Sequence, residues 1–279
     1  MKKINLLYPF LISALAMASV FSCQDGGPVS KEKTIPKESN SLAQSVVMTT
    51  PKTPAVDPSI TIDYLMGKFD PVTHPNFIEI ELKYASRAGM RLRKQTYQAF
   101  LDMQKAAASE GVVLKILSAT RPFDHQKRIW EAKWNGSRKV DGKALPESHP
   151  KPKQRALKIL EYSSMPGTSR HHWGTDIDIN ALNNEYFDTG KGYKEYQWLI
   201  KNAPAFGFCQ PYSPKGPERP DGYNEERWHW SYLPISKPLT EQYELRIKSR
   251  DISGFEGAEA AALIDVVPKY VIGISKDCL

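Results

Sequence analysis

The stretch SRHHWGTDIDIN, residues 169–180, joins two adjacent histidines to a run in which carboxylates and isoleucines alternate. Ile177 and Ile179 against Asp176, Asp178 and Asn180 have the period of a β-strand, so the isoleucines take one face and the polar residues the other. The apolar face predicts a core; the opposite face is left for chemistry. Gly174 stands where the chain must turn between the histidines and the strand. Such a turn lets His171 fold back over the polar face towards Asp178, and these two are candidate metal ligands. His172 with Asp176 is a competing pair that suits a helix, which the isoleucine alternation argues against. His172 then reads as a loop or substrate-rim residue. Taken alone, His171 also fits a capped histidine in a loop.

Two ligands make a poor zinc site, because a catalytic Zn²⁺ usually takes three protein groups and keeps a fourth position open. The segment EERWHWSY, residues 225–232, supplies a third. Read as a strand, it sets Trp228, Trp230 and Tyr232 on one face and Arg227, His229 and Ser231 on the other. His229 is thereby aimed away from an aromatic layer. Glu226, three residues earlier, is placed to act on a water beside the metal without ligating it.

Working outward, VVLKILSA (112–119) is an apolar, β-branched run of strand length, expected inside the sheet, and it delivers Thr120 and Arg121 to the sheet rim. A helix from Leu92 to Ser109 precedes it, with Tyr97, Phe100, Leu101 and Ala108 on one stripe. Pro122 and Asp124 open another helix, carrying Gln126, Ile129, Trp130 and Trp134. Further helices are predicted over 152–162 and 193–203. A Pro/Gly-rich loop (210–224) leads to the 225–232 strand, and a C-terminal helix and strand are expected over about 257–274. Helices and strands alternate irregularly, which predicts an α+β fold with a small, largely antiparallel sheet flanked by helices. No internal repeat is present.

At 279 residues with 41% hydrophobic composition, the chain can bury one good-sized core and a second small one, and one domain is expected. Met1-Lys2-Lys3, an apolar run from Ile4 to Ser22, and Cys23 form the pattern of a bacterial lipoprotein signal (1–22) whose cysteine is acylated. An uncleaved membrane anchor is the plainer alternative. Residues 23–58 are rich in Ser, Thr, Pro, Lys and Gln and are expected to form a flexible tether from the lipidated Cys23, leaving 59–279 as the working domain. In an exported compartment Cys209 and Cys278 are free to pair and staple the C-terminus. The net charge of +7 is spread without a basic block. Nucleic acid is therefore not an expected partner, whereas a polyanionic cell-wall surface is compatible.

The pattern Ser169-x-His171-x-x-Gly174-x-x-x-Asp178, followed some fifty residues on by Glu226-x-Trp228-His229, resembles the signature of the VanY-type zinc D-alanyl-D-alanine carboxypeptidases. SATRPFDHQ (118–126) is similar to that family's upstream segment, with Arg121 and Gln126 matching. The resemblance runs from about Asp63 to the C-terminus. It implies a Hedgehog/DD-peptidase-like fold, one Zn²⁺ per chain held by His171, Asp178 and His229, and cleavage of peptidoglycan stem peptides. Glu226 is then the general base and Arg121 the cation that meets the oxyanion, with Ser169 and Gln126 as substrate contacts. One departure stands out: the family commonly has alanine two residues before the aspartate ligand, where this chain has Asp176. Sharing the ligand face, Asp176 is placed either to contact a ligating histidine or to shift the ligand geometry.

Duller roles compete with these. Arg121 can simply pair with Asp124; Trp173, Trp228 and Trp230 suit packing better than a substrate platform; His74, His125 and His149 are expected to be solvated. The expectation is an exported, lipid-anchored zinc metallocarboxypeptidase of the bacterial cell envelope, facing the periplasm and cutting D-Ala-D-Ala or the neighbouring L,D bond. The alternative is a zinc-stabilised wall-binding module without turnover, which has no need of Glu226.

Overall fold

The computed structural model describes residues 55–279; the expected signal segment, Cys23 and most of the expected tether lie outside them. Thr61 caps α1 (Ile62–Leu65), its hydroxyl accepting from the Tyr64 amide at 3.0 Å. β1 (Phe77–Glu79) and β2 (Arg91–Arg93) pair antiparallel. α2 (Lys94–Ser109) follows directly and buries Tyr97, Phe100, Met103 and Ala107. The expected stripe is slightly out of phase: Ala108 is exposed and Leu101 only half-buried.

β3 (Ile116–Ser118) is shorter than the predicted strand and lies at a sheet edge, not inside. The reason is local: Leu114 and Ile116 are buried while Val113 and Lys115 are exposed, the alternation of a strand with one wet face. α3 (Phe123–Trp134), the single turn α4 (Leu145–Ser148) and α5 (Pro152–Ile159) form the next layer, with Trp130, Trp134, Ala156 and Ile159 turned inward. β4 (Asp176–Ile179), α6 (Gly190–Asn202), β5 (Phe208–Cys209) and β6 (His229–Tyr232) complete the sheet and its cover. α7 (Leu233–Arg246) is not among the expected helices, and it carries Pro234 and, inside the helix, Pro238. Pro234 sits in the first turn, where no amide donor is needed. The C-terminal strand is absent: α8 (Ala260–Ile264) is followed by a π-helical turn over Val267–Val271, and Pro268 in that run removes a donor a ladder would need.

The main sheet has the order β3-β4-β6-β5, antiparallel throughout. Ile177 stands opposite Trp230 and Asp178 opposite His229. Ile177, Ile179 and Trp230 pack with Tyr97, Phe100 and Leu199 in one apolar cluster, so the isoleucine face is the core face. A second and larger cluster gathers Trp130, Trp173, Leu160, Tyr243 and Val271, and a minor one surrounds Trp228. Cys209 and Cys278 form a disulfide, Cα atoms 5.7 Å apart, that ties β5 to the C-terminus. Cys278 is fully buried beside it.

Candidate metal centre

His171 lies on a one-turn 3₁₀ helix, Arg170–Trp173, that Gly174 ends at φ +71°. A side chain at 174 would meet the ring of Phe77, so glycine is required for both conformation and space. The turn folds the histidines back across β4. The backbone of Arg121 holds it there, its amide donating to the His171 carbonyl at 3.1 Å and its carbonyl accepting from His172 Nδ1 at 2.5 Å.

The His171 Nδ1 proton points to the Ala119 carbonyl at 2.9 Å, which leaves Nε2 as a bare lone pair. That atom lies 3.3 Å from Asp178 Oδ1, and His229 Nδ1 lies 3.2 Å from the same oxygen. Neither His171 Nε2 nor Asp178 Oδ1 has an aligned hydrogen-bond partner, although both are buried. Close atoms that are not paired share a common target. Ligands about 2.0–2.1 Å from a tetrahedral Zn²⁺ stand roughly 3.3 Å apart, which is the separation of each imidazole nitrogen from Asp178 Oδ1, and all three atoms lie within 4.8 Å of one another. His171, Asp178 and His229 therefore fit a divalent cation.

Asp176 resolves the departure from the family pattern. Its Oδ1 accepts from His229 Nε2 at 3.0 Å, which turns His229 Nδ1 towards Asp178. The same oxygen takes the Arg170 Nε proton at 3.2 Å, while Thr175 Oγ1 donates to Oδ2 at 2.5 Å. Arg170 is itself buried, donating to Thr240 Oγ1 on α7 and to Ser231 Oγ on β6, and stacked 4.9 Å over Trp173. Asp176 thus orients a ligand instead of displacing one.

The titration behaviour follows this field. Burial works against ionisation of Asp178, yet His171 and His229 outweigh it and hold the carboxyl well below its usual range. For Asp176 burial is likewise overcome, by Arg170 first and then His229. Burial and the nearby Arg121 push His171 down to about 4. Burial also pulls on His229, but its contacts with Asp176, Asp178 and Glu226 raise it well above the ordinary imidazole value. Three carboxylates around one imidazole make a strongly cation-attracting point.

Glu226 is 6% exposed, its Oε2 3.3 Å from His229 Nδ1. Burial pushes its carboxyl up, Asp178 adds to the push, and His229 and Arg121 pull the other way. A carboxyl raised in this way is a better proton acceptor near neutrality. His171, His229, Glu226 and Arg121 share a small cavity of about 20 Å³, enough for one water-sized ligand. That cavity adjoins a groove of about 390 Å³ lined by Arg121, Asp178, Glu226, Tyr162 and Trp228 among others. The competing pair of Arg121 with Asp124 is not among the described ion pairs, and Arg121 Nε is buried without a partner.

Ser169 and Gln126 are both buried and line neither cavity. Gln126 donates to the Ser164 carbonyl at 2.8 Å; its Oε1 and Ser169 Oγ have no partner. His172 is not a rim residue: it is fully buried, accepting the Gly167 amide at Nε2. The Arg121 carbonyl and the Gly167 amide use both ring nitrogens, so it bolts two loops together. His74, His125 and His149 are half-buried instead of solvated, with His74 packed among Tyr64, Phe69 and Phe77. Trp173 and Trp230 pack in the cores as expected, while Trp228 also forms part of the groove wall. Arg170 went unread in the sequence. Its position between Ser169 and His171 was a signal, but its partner on α7 lies seventy residues away.

The profile described as D-alanyl-D-alanine carboxypeptidase, VanY, matches residues 89–235, just over half of the chain and every residue of the site. The chain belongs to the VanY family. Among curated relatives, a D-alanyl-D-alanine carboxypeptidase of Enterococcus faecalis is 29% identical over 176 residues, 61% of this chain and 58% of that protein. The putative carboxypeptidase YodJ of Bacillus subtilis is 28% identical over 162 residues, 56% and 51% of the two chains. This chain spans about half the length of the curated relatives it matches. Among solved structures, a vancomycin resistance D,D-pentapeptidase VanY variant in complex with Zn(II) is 24% identical with a TM-score of 0.41, covering 65% of this chain and 93% of that one. The LdcB LD-carboxypeptidase is 23% identical with a TM-score of 0.45, covering 64% and 80%.

Proposed function

We propose that this protein is a zinc carboxypeptidase that removes a terminal D-alanine from peptidoglycan stem peptides. The carrying observation is that His171 Nε2 and His229 Nδ1 each stand at tetrahedral-edge distance from Asp178 Oδ1, with the buried Glu226 carboxylate alongside. Membership of a family described as D-alanyl-D-alanine carboxypeptidase supports the substrate class.

His171, Asp178 and His229 would hold the ion, and Asp176 keeps His229 turned to it. When bound, Zn²⁺ lowers the pKa of water towards about 7 and polarises a carbonyl. Glu226 takes a proton from the attacking water and gives it to the departing amine. Arg121, strapped between the two histidines just beyond β3, meets the growing oxyanion; a preorganised charge of this kind contributes about 3 kcal/mol. Ser169 and Gln126, expected from the resemblance as substrate contacts, are buried outside both cavities and are given no part in this step.

The test is mass spectrometry of muropeptides incubated with zinc-loaded protein and with Glu226→Gln. The parent releases D-alanine, and the fragment mass tells the terminal D,D bond from the preceding L,D bond. The variant keeps its zinc and releases none. Equal hydrolysis by both refutes Glu226 as the base; zinc binding with no hydrolysis by the parent leaves a wall-binding module.

We also propose export as an envelope lipoprotein facing the periplasm. Lys2-Lys3, the apolar run Ile4–Ser22 and Cys23 support it, as does the Cys209–Cys278 disulfide, since such bridges persist in oxidising compartments. Fatty-acid labelling that survives Cys23→Ala argues against it.

A further inference from the structure

The groove beside the metal centre carries more positive charge than the reaction uses. Arg87, Arg121, Lys133 and Arg138 line it together with His125, and among the described residues the only carboxylates in its wall are Asp178 and Glu226. Asp178 is committed to the ion and Glu226 to proton transfer. None of the four cations takes part in a described ion pair. Lys133 is half-buried on α3, its ammonium donating to Ser163 Oγ. Burial, with Arg138 and Arg121 behind it, pulls Lys133 down to about 8 against the weaker opposite pull of Glu226 and Asp141, so the cations feel one another.

Like charges gathered in a partly buried groove repel, and an anionic ligand relieves that repulsion through charge-assisted hydrogen bonds. A carboxypeptidase substrate presents two anionic positions, its terminal carboxylate and the oxyanion that develops during attack. Arg121 serves the second, and one further cation serves the first. Two cations remain without an anion. A volume of about 390 Å³ is that of a site for a small ligand or a peptide end, not a polymer.

The geometry points to a subsite for a second carboxylate on the peptide, held by Lys133 and Arg138, so that the protein selects substrates carrying a free acid besides the C-terminal one. The inference rests on the carboxypeptidase reading for the orientation of the peptide, but binding tests it separately. Arg138 is exposed and free to swing onto the ligand, while Lys133 is held in place by Ser163.

The experiment uses a matched set of peptides ending in D-Ala-D-Ala in which glutamate and glutamine are exchanged at each of the three preceding positions. Zinc-loaded Glu226→Gln reports binding without turnover by calorimetry, and the parent reports kcat and KM. At one position the acid binds about tenfold or more tighter than the amide, as one charge-assisted contact predicts. The same preference appears in KM and not in kcat. Lys133→Gln with Arg138→Gln, checked for unchanged zinc content and melting, removes most of the acid-to-amide ratio. Acid and amide binding within about twofold at all three positions overturns the subsite, as does a ratio that survives the double variant. A binding preference without any cleavage by the parent upholds the subsite and removes the peptidase reading instead.

Discussion

Replacing Asp176 with alanine removes the one carboxylate among the described residues that answers the buried guanidinium of Arg170. Both side chains are fully inaccessible and lie 3.2 Å apart, so solvent cannot take over the charge. Breaking such a pair by deleting one partner costs about 3–5 kcal/mol. For a domain of this size each kcal/mol moves the melting point by about 2–4 °C, which gives a loss of roughly 6–20 °C. Arg170 keeps Thr240 Oγ1 and Ser231 Oγ, but these are neutral acceptors. The measurement is thermal and urea unfolding in chelator, so that weakened metal binding does not enter the result. Arg170→Met combined with Asp176→Ala removes both charges and recovers at least about 2 kcal/mol of the loss, since an apolar replacement of a buried pair is close to neutral. A chelator competition on Asp176→Asn, which spares the shape, then shows zinc held about 10–100-fold more weakly because His229 loses its anionic acceptor. If Asp176→Ala melts within about 1 kcal/mol of the parent, or the double variant is no better than the single, the buried pair is not what holds this corner.

The disulfide closes a span of 69 residues, and replacing Cys209 and Cys278 by alanine lowers stability by about 4 kcal/mol in the chain-entropy account; a urea midpoint unchanged after substitution would count against it. Burial holds His172 at about 3 in the folded protein, against 6.5 unfolded, outweighing the hydrogen bond to the Arg121 carbonyl that pulls the other way. The unfolded chain therefore binds more protons between these values, so His172's contribution is complete above pH 6.5 and lost as pH falls towards 3. His172→Gln keeps one donor and one acceptor without titrating. Its stability relative to the parent rises below pH 6.5 by up to about 1.4 kcal/mol per pH unit, and urea unfolding at pH 7, 6 and 5 reads the trend; parallel profiles contradict the assignment.

What could be read in the sequence was mostly local. Two isoleucines alternating with two aspartates fix which face of β4 meets the core whatever surrounds them, and Gly174 marks the turn for the same reason. Strand faces also set His229 apart from Trp230. The register that puts His229 opposite Asp178 is a tertiary fact: the need for a third ligand and the family resemblance joined the two segments, but neither sets their pairing. The errors share that origin. Leu114 and Ile116 are buried but Val113 and Lys115 face water, so an apolar run became an edge strand. Packing of Leu239 and Tyr243 holds α7 together through Pro238, against its local propensity. Arg170, Asp176, Ser231 and Thr240 form one buried polar group from four elements, and no spacing rule announces it.

The chemistry of the site depends on three side-chain atoms sharing one cation. Anomalous diffraction from crystals of the protein loaded with zinc, recorded on both sides of the zinc absorption edge, tests this directly. A single peak is expected about 2.0–2.2 Å from His171 Nε2, Asp178 Oδ1 and His229 Nδ1, with Glu226 beside it and not bonded to it. No peak there, or a peak bound through other residues, would contradict the metal centre and the chemistry built on it.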